Sequence, residues 1–292
     1  MLNRKSLGWF LALTFLPAWI LFLAPLTLTH LDVKTKALAT QGLWALAMWT
    51  PGIAAILTTL FVERNPFHTL RLNTLGAKRF YLWAWILPIG FVILGGLTGW
   101  ITGLAKLDWQ FSAIREALAA APSGQNPPVE VLLVAQVGFA FTLAPVINML
   151  FTVGEELGWR GFLLERLLPL GQWQAILISG VIWGVWHAPV IAQGHNYPGY
   201  PILGMGMMVV FCVLLGTVLA WLALNTRSPW VAALGHGTVN AVAGLPILFF
   251  AKGFDMALTG SLASPTAWVG MGLFILWLTW SKRLPVPLAS AK

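Results

Sequence analysis

Two adjacent carboxylates, Glu155 and Glu156, sit in the run GEELGWRGFLLERL (Gly154 to Leu167), with Arg160 four residues beyond the second. His187 follows in WGVWHAP, and a third polar set, HGTVN, runs from His236 to Asn240. A carboxylate, two imidazoles and a carboxamide are groups that suit hydrolysis of an amide bond: a base takes a proton from water, and donors hold the oxyanion that forms as water attacks. On that reading Glu155 is the general base, with water held between it and His187. His236 and Asn240, at i and i+4 on one helix face, donate to the oxyanion. Glu156 and Arg160, also at i and i+4, form an ion pair that holds the segment. The same atoms allow a second chemistry, in which Glu155, His187 and His236 ligate Zn²⁺ as a His₂Glu set with an open water position. The local HExxH signature is absent, and no other cofactor is suggested.

These charges lie in a chain of 292 residues that is 58% hydrophobic and only 9% charged, with a mean hydropathy of +0.80. That composition marks an integral membrane protein. An ionised side chain at mid-bilayer costs roughly 2.5–3.5 kcal/mol on insertion scales, so such residues face a protein interior or a water-filled cavity and carry function. The net charge of +8 comes from seventeen Lys and Arg that mostly flank apolar runs. There they set orientation and meet anionic lipid headgroups, and no nucleic-acid partner is implied. A single cysteine, Cys212, excludes an internal disulfide. Arg4 and Lys5 precede a long apolar stretch without a small-residue cleavage site, which predicts a retained first crossing rather than a signal peptide.

Apolar runs near 7–31, 42–62, 80–104, 129–168, 172–192, 201–224, 229–251 and 265–281 predict an all-α polytopic fold of about eight crossings, as one transmembrane domain over 1–292. With eight crossings both termini share a side. That side collects twelve basic residues (Arg4, Lys5, Arg64, Arg71, Lys78, Arg79, Arg160, Arg166, Arg227, Lys282, Arg283 and Lys292) against five on the other (Lys34, Lys36, Lys106, Arg115 and Lys252). The positive-inside rule then puts both termini in the cytoplasm, and the compact form with short loops suggests a bacterial inner membrane. Residues 105–128, with Pro122, Ser123, Gly124, Pro127 and Pro128, form the one substantial external loop.

The fourth run is too long for a simple span, and Pro145 is the expected place for a bend. Counting back from Pro169, Glu155 lies 14 residues in, about 21 Å; counting forward from Gly171, His187 lies 16 residues in, about 24 Å. An antiparallel pair brings the two to one level, and His236 and Asn240 lie about 10–16 Å in from Pro229. The fourth, fifth and seventh crossings therefore enclose one polar cavity.

EELGWR (Glu155 to Arg160) and HGTVN (His236 to Asn240) resemble the EExxxR and HxxxN motifs of the CAAX protease and bacteriocin-processing family, CPBP or Abi, of intramembrane endopeptidases. The family's second motif, FxxxH, is partly met: its histidine is His187, with Trp183 where the family has Phe. The resemblance implies a peptidase of the prenyl-protein-processing type that cuts membrane-associated, prenylated or bacteriocin- and pheromone-like proteins near the cytoplasmic face. It covers a peptidase core of about 145–245 and implies Glu155, His187, His236 and Asn240 as catalytic. The family is described both as metalloproteases and as metal-independent glutamate proteases. Two rival classes stand beside it: a proton-coupled transporter, and a catalytically silent immunity or scaffold protein.

Other polar and aromatic residues carry blander readings. His195, Asn196 and Tyr197 fall in a Gly- and Pro-bearing external loop and are assigned no catalysis. Trp159, Trp183 and Trp186 flank the site and either shape a cavity or pack helices. Gly95, Gly99 and Gly103, four apart, permit close helix contact and carry no prediction of oligomeric state.

Overall fold

The computed structural model describes residues 2–119 and 127–287. Pro122, Ser123 and Gly124 of the expected loop, and Lys292 of the basic tally, lie outside them. The fold is all-helical; among the described residues the only β-type pairing is one bridge between Leu107 and Phe250. The helices are α1 (Arg4–Leu23), α2 (Val33–Ala47), α3 (Thr50–Leu57), α4 (Arg79–Ile101), α5 (Ser112–Ala119), α6 (Val129–Phe141) and α7 (Leu143–Glu156). They continue with α8 (Glu165–Leu167), α9 (Gln172–Trp186), α10 (Ala188–Ala192), α11 (Leu203–Thr226), α12 (Pro229–Val242) and α13 (Pro265–Trp280). π-Helical turns extend α3 over Thr58–Val62 and join α7 to α8 over Leu157–Leu164.

Among the described residues five helical stretches are long and apolar enough to cross a membrane, or six if the bent pair α6 and α7 is one span. The expected eight is not reached because the fifth and eighth runs form α9 of 15 residues and α13 of 16. At 1.5 Å per residue these are about 22–24 Å long, short of a hydrocarbon core of about 30 Å. Pro189 ends the fifth run early, and α10 continues past a joint at His187. The expected external loop is also partly helical, through α5.

The fourth run bends by 46°, at Thr142 rather than at Pro145. Pro145 is still the cause. A proline has no N–H for the carbonyl four residues back and its ring crowds that carbonyl, which here belongs to Phe141. The freed Phe141 carbonyl instead accepts a hydrogen bond from Trp85 Nε1 on α4, at 2.8 Å.

α12 packs against both α7 and α4, and α11 lies along α9 and also touches α12. Small residues set these distances. A Cβ at Gly237 would fall 2.6 Å from the Pro145 carbonyl oxygen and 2.8 Å from the Met149 nitrogen, so the glycine inside HGTVN lets α12 lie directly on the backbone of α7. Thr152 Oγ1 donates to the Ala233 carbonyl at 2.7 Å across the same contact. Gly180 and Gly184 do likewise for α9, where a Cβ would meet the Cα atoms of Val213 and Val209 at 2.8 and 2.5 Å. Gly95 and Gly99 face Ala267 and Thr259, whereas Gly103 lies beyond α4 at φ +75° and serves a turn. Gly237→Ala is expected to push α12 from α7 and to lower stability by about 1–3 kcal/mol, the cost of overpacking; thermal unfolding in detergent measures it.

The segment that carries the two glutamates is also tied at its far end. Arg166 donates to Glu63 at 2.6 and 3.2 Å, Ser6 Oγ donates to the same carboxylate at 2.5 Å, and Arg71 pairs with Glu165 at 2.8 Å. Burial would raise the Glu63 pKa, but the Arg166 and Ser6 hydrogen bonds and the Arg166 charge outweigh it and hold the group below its ordinary value. These bonds fix the roll of the motif segment against α1 and the end of α3.

Candidate active site

Glu155 and Glu156 close α7, and the next residues adopt the wider π-helical turn, a geometry that recurs at functional sites. The two neighbours point to different surroundings. Glu155 lines a cavity of ≈ 470 Å³. Its Oε2 accepts from Trp183 Nε1 at 2.8 Å and Trp159 Nε1 at 3.3 Å, which leaves Oε1 for the cavity. Glu156 is fully buried and does not line the cavity. Its Oε1 accepts from Arg160 at 2.8 Å and from His236 Nδ1 at 2.9 Å, while Oε2 has no partner.

Arg160 is 5% exposed. Its guanidinium lies over the Trp183 ring, 4.4 Å from the centroid, in space left open by Gly216. This corrects its place in the basic tally: Arg160 is an interior partner of Glu156 and meets no headgroup. The ion pair expected at i, i+4 is present. The contact between Glu156 and His236 joins the first motif to the third and was not expected.

His187 caps the C-terminal end of α9, where its Nδ1 lies 2.9 Å from the Trp183 carbonyl. A carbonyl only accepts, so Nδ1 carries the proton and Nε2 keeps a lone pair. Trp186 packs edge-on to its ring at 4.8 Å, and the Trp186 carbonyl accepts from Trp19 of α1. His236 is 6% exposed and edge-on to Trp183 at 5.2 Å. Because Glu156 occupies its Nδ1–H, His236 offers a donor at Nε2 in the imidazolium form and a lone pair in the neutral form. Asn240 lies one turn further on α12, exposed.

Glu155, His187, His236 and Asn240 thus line one cavity, together with Trp183 and Trp186. Trp159 sits behind Glu155 and does not line it. Three more polar residues on the wall escaped the sequence reading: Asn148, Gln41 and Ser261. Asn148 had a usable signal, since it lies seven residues before Glu155, two turns along one helix face. His195 and Asn196, placed in an external loop without a role, also line the cavity, because the chain after α10 folds back over it. Their loop is tied by Tyr197, whose hydroxyl donates to the Ala263 carbonyl at 2.7 Å.

As a zinc site the arrangement fits poorly. Among the described residues no three His, Cys, Asp or Glu side chains stand as a group that could hold a metal ion, and Glu155 Oε2 is already taken by two indoles.

The chain from α6 to the end of α12, residues 132–242, matches the family model described as Type II CAAX prenyl endopeptidase Rce1-like. These residues form an Rce1-like domain. It contains both motif glutamates, Arg160, His187, His236 and Asn240, and every helix that positions them. No curated protein matches the chain. The Rce1-like family is a family of CAAX-type intramembrane proteases, and its assignment agrees with the apolar helices of an integral membrane protein.

Proposed function

We propose that this protein is a membrane endopeptidase that hydrolyses a peptide bond of a membrane-associated substrate, prenylated or otherwise lipid-anchored, with water activated by Glu155. The observation that carries the reading is the meeting of Glu155 and His187 with His236 and Asn240 on the wall of one cavity in an otherwise apolar core. Glu155 Oε1 and His187 Nε2 are both acceptors. Water between them donates one hydrogen to each and keeps a lone pair free for the carbonyl carbon. As it attacks, Glu155 takes a proton, which it later delivers to the leaving amine. The negative charge that develops on the carbonyl oxygen is met by Asn240 Nδ2 and by Nε2–H of the His236 imidazolium, which the Glu156 carboxylate supports from behind.

We take both termini and the Pro169 turn as cytoplasmic, the side on which a chain of eight crossings would collect most of its basic residues with the interior Arg160 set aside. A site at the far end of the motif segment, 14 residues before that turn, suits a segment drawn down from the cytoplasmic leaflet.

The test is cleavage of a membrane-peptide library by purified protein in liposomes, read by mass spectrometry. Asn240→Ala is expected to lower kcat by about 10²–10³, the usual cost of one oxyanion donor, with a smaller change in KM. Cleavage is expected to persist in excess chelator, and its loss, restored by added Zn²⁺, would replace the glutamate mechanism with a metal one. A library left uncut by folded wild-type protein would turn the reading to a silent membrane scaffold.

A further inference from the structure

Part of the cavity wall is built by α2 and by the loop after α10, outside the three motifs in sequence. Trp44 of α2 and His195 of the loop meet there edge to face, with ring centroids 5.2 Å apart. Both carry polar atoms without a partner among the described residues. The Trp44 Nε1–H is buried with no acceptor, and no hydrogen bond reaches either ring nitrogen of His195. An unanswered donor in an apolar wall is costly to leave and is satisfied when an acceptor arrives. The described wall residues hold one carboxylate, Glu155, and three histidines as their ionisable side chains, with no Lys, Arg or Asp. A substrate carboxylate would meet no Lys or Arg there, since Arg160 is sealed behind Trp183, and the His236 imidazolium of the proposed mechanism is already paired with Glu156. A substrate ammonium would pair with the Glu155 base and quench it.

We propose that Trp44 and His195 form a substrate-reading station that hydrogen-bonds an uncharged peptide segment beside the scissile bond, the indole donating to a carbonyl and the imidazole pairing with a neighbouring amide. The proposal rests on the peptidase reading above. It assigns a substrate class: membrane peptides whose residues flanking the cut are neutral, with Gln or Asn taken and Glu, Asp or Lys refused. Trp44 acts by turning its N–H toward the bound chain, and His195 by the ring nitrogens it leaves free.

The experiment uses two readouts on the full chain in liposomes. In the first, wild type, Trp44→Phe, His195→Ala and His195→Gln cleave matched peptides that differ only by Gln or Glu next to the cut. Wild type is expected to prefer Gln by more than about tenfold in kcat/KM. Trp44→Phe and His195→Ala are each expected to raise KM by about three- to tenfold, the worth of one hydrogen bond, with a smaller change in kcat. His195→Gln should recover part of the loss. In the second, the dissociation constant of the Gln peptide is measured by indole fluorescence on the Glu155→Gln background, with and without the same changes, and should shift in parallel. Unchanged KM and dissociation constants in both Trp44→Phe and His195→Ala, or equal handling of the Gln and Glu peptides, would overturn the station. If wild type cuts nothing, the peptidase reading fails, and the binding series alone decides whether the station exists.

Discussion

Glu155→Gln is expected to lower cleavage by about 10³-fold or more, at the upper end of what a positioned acid–base group supplies. The substitution is nearly isosteric. The glutamine carbonyl can keep the indole bonds that Trp183 and Trp159 make to Oε2, so the wall keeps its shape and the unfolding temperature should stay close to that of wild type. On the proposed mechanism the group lost is the oxygen that takes the proton from water; His187 keeps only its Nε2 lone pair for that task, its Nδ1–H being given to the Trp183 carbonyl, and the residual rate reports what the imidazole alone supplies. The loss should fall in kcat with KM nearly unchanged, because the carboxylate acts on water rather than on the peptide. Single-turnover kinetics in liposomes measure it. A drop of less than about tenfold in a folded variant would mean that the proton goes elsewhere.

Arg160→Leu should give the largest loss of stability, about 3–5 kcal/mol, because it strands a buried anion. Glu156 is fully buried, its Oε2 already lacks a partner, and its Oε1 would keep only His236. The guanidinium also covers the Trp183 face at 4.4 Å, and Trp183 holds Glu155, so activity should fall along with stability. The double variant Glu156→Gln, Arg160→Leu should recover most of the stability, since the neutral amide leaves no charge to strand. Activity should not recover, because in the proposed mechanism the Glu156 carboxylate supports His236 as an oxyanion donor and the amide cannot. Chemical unfolding in detergent of the three variants and wild type separates the two effects. Equal destabilisation of the single and double variants would show that Arg160 acts through packing alone.

Much of the architecture could be read from apolar runs because hydrocarbon obliges the backbone to bond to itself. The polar residues on α7, α9 and α12 were legible because charge and imidazole are costly in such a chain, so their presence is itself the signal. Lengths were less legible. A run of apolar residues does not reveal that Pro189 cuts α9 short at His187, or that the strain of Pro145 is released three residues earlier at Thr142. Contacts between motifs were harder still. The spacing of Glu156 and Arg160 predicts their pair, but the approach of His236 to the same carboxylate depends on Gly237 lying against α7, a fact of tertiary packing. His195 is the extreme case: its sequence surroundings are those of a loop, and only the fold brings it over the cavity.

The π-helical stretch Leu157–Leu164 stands between the two glutamates and the clamps formed by Glu165 and Arg166. Its i→i+5 ladder accommodates one more residue per turn than the helices on either side would. Winding the same eight residues at ordinary α pitch would carry everything after them further round the helix axis. Glu155 and Glu156 would stay where they are, while Arg166 would lose Glu63 and Glu165 would lose Arg71. The stretch therefore sets the phase between the chemical half of the segment and its mechanical mooring, and a change of length here would be felt as a rotation.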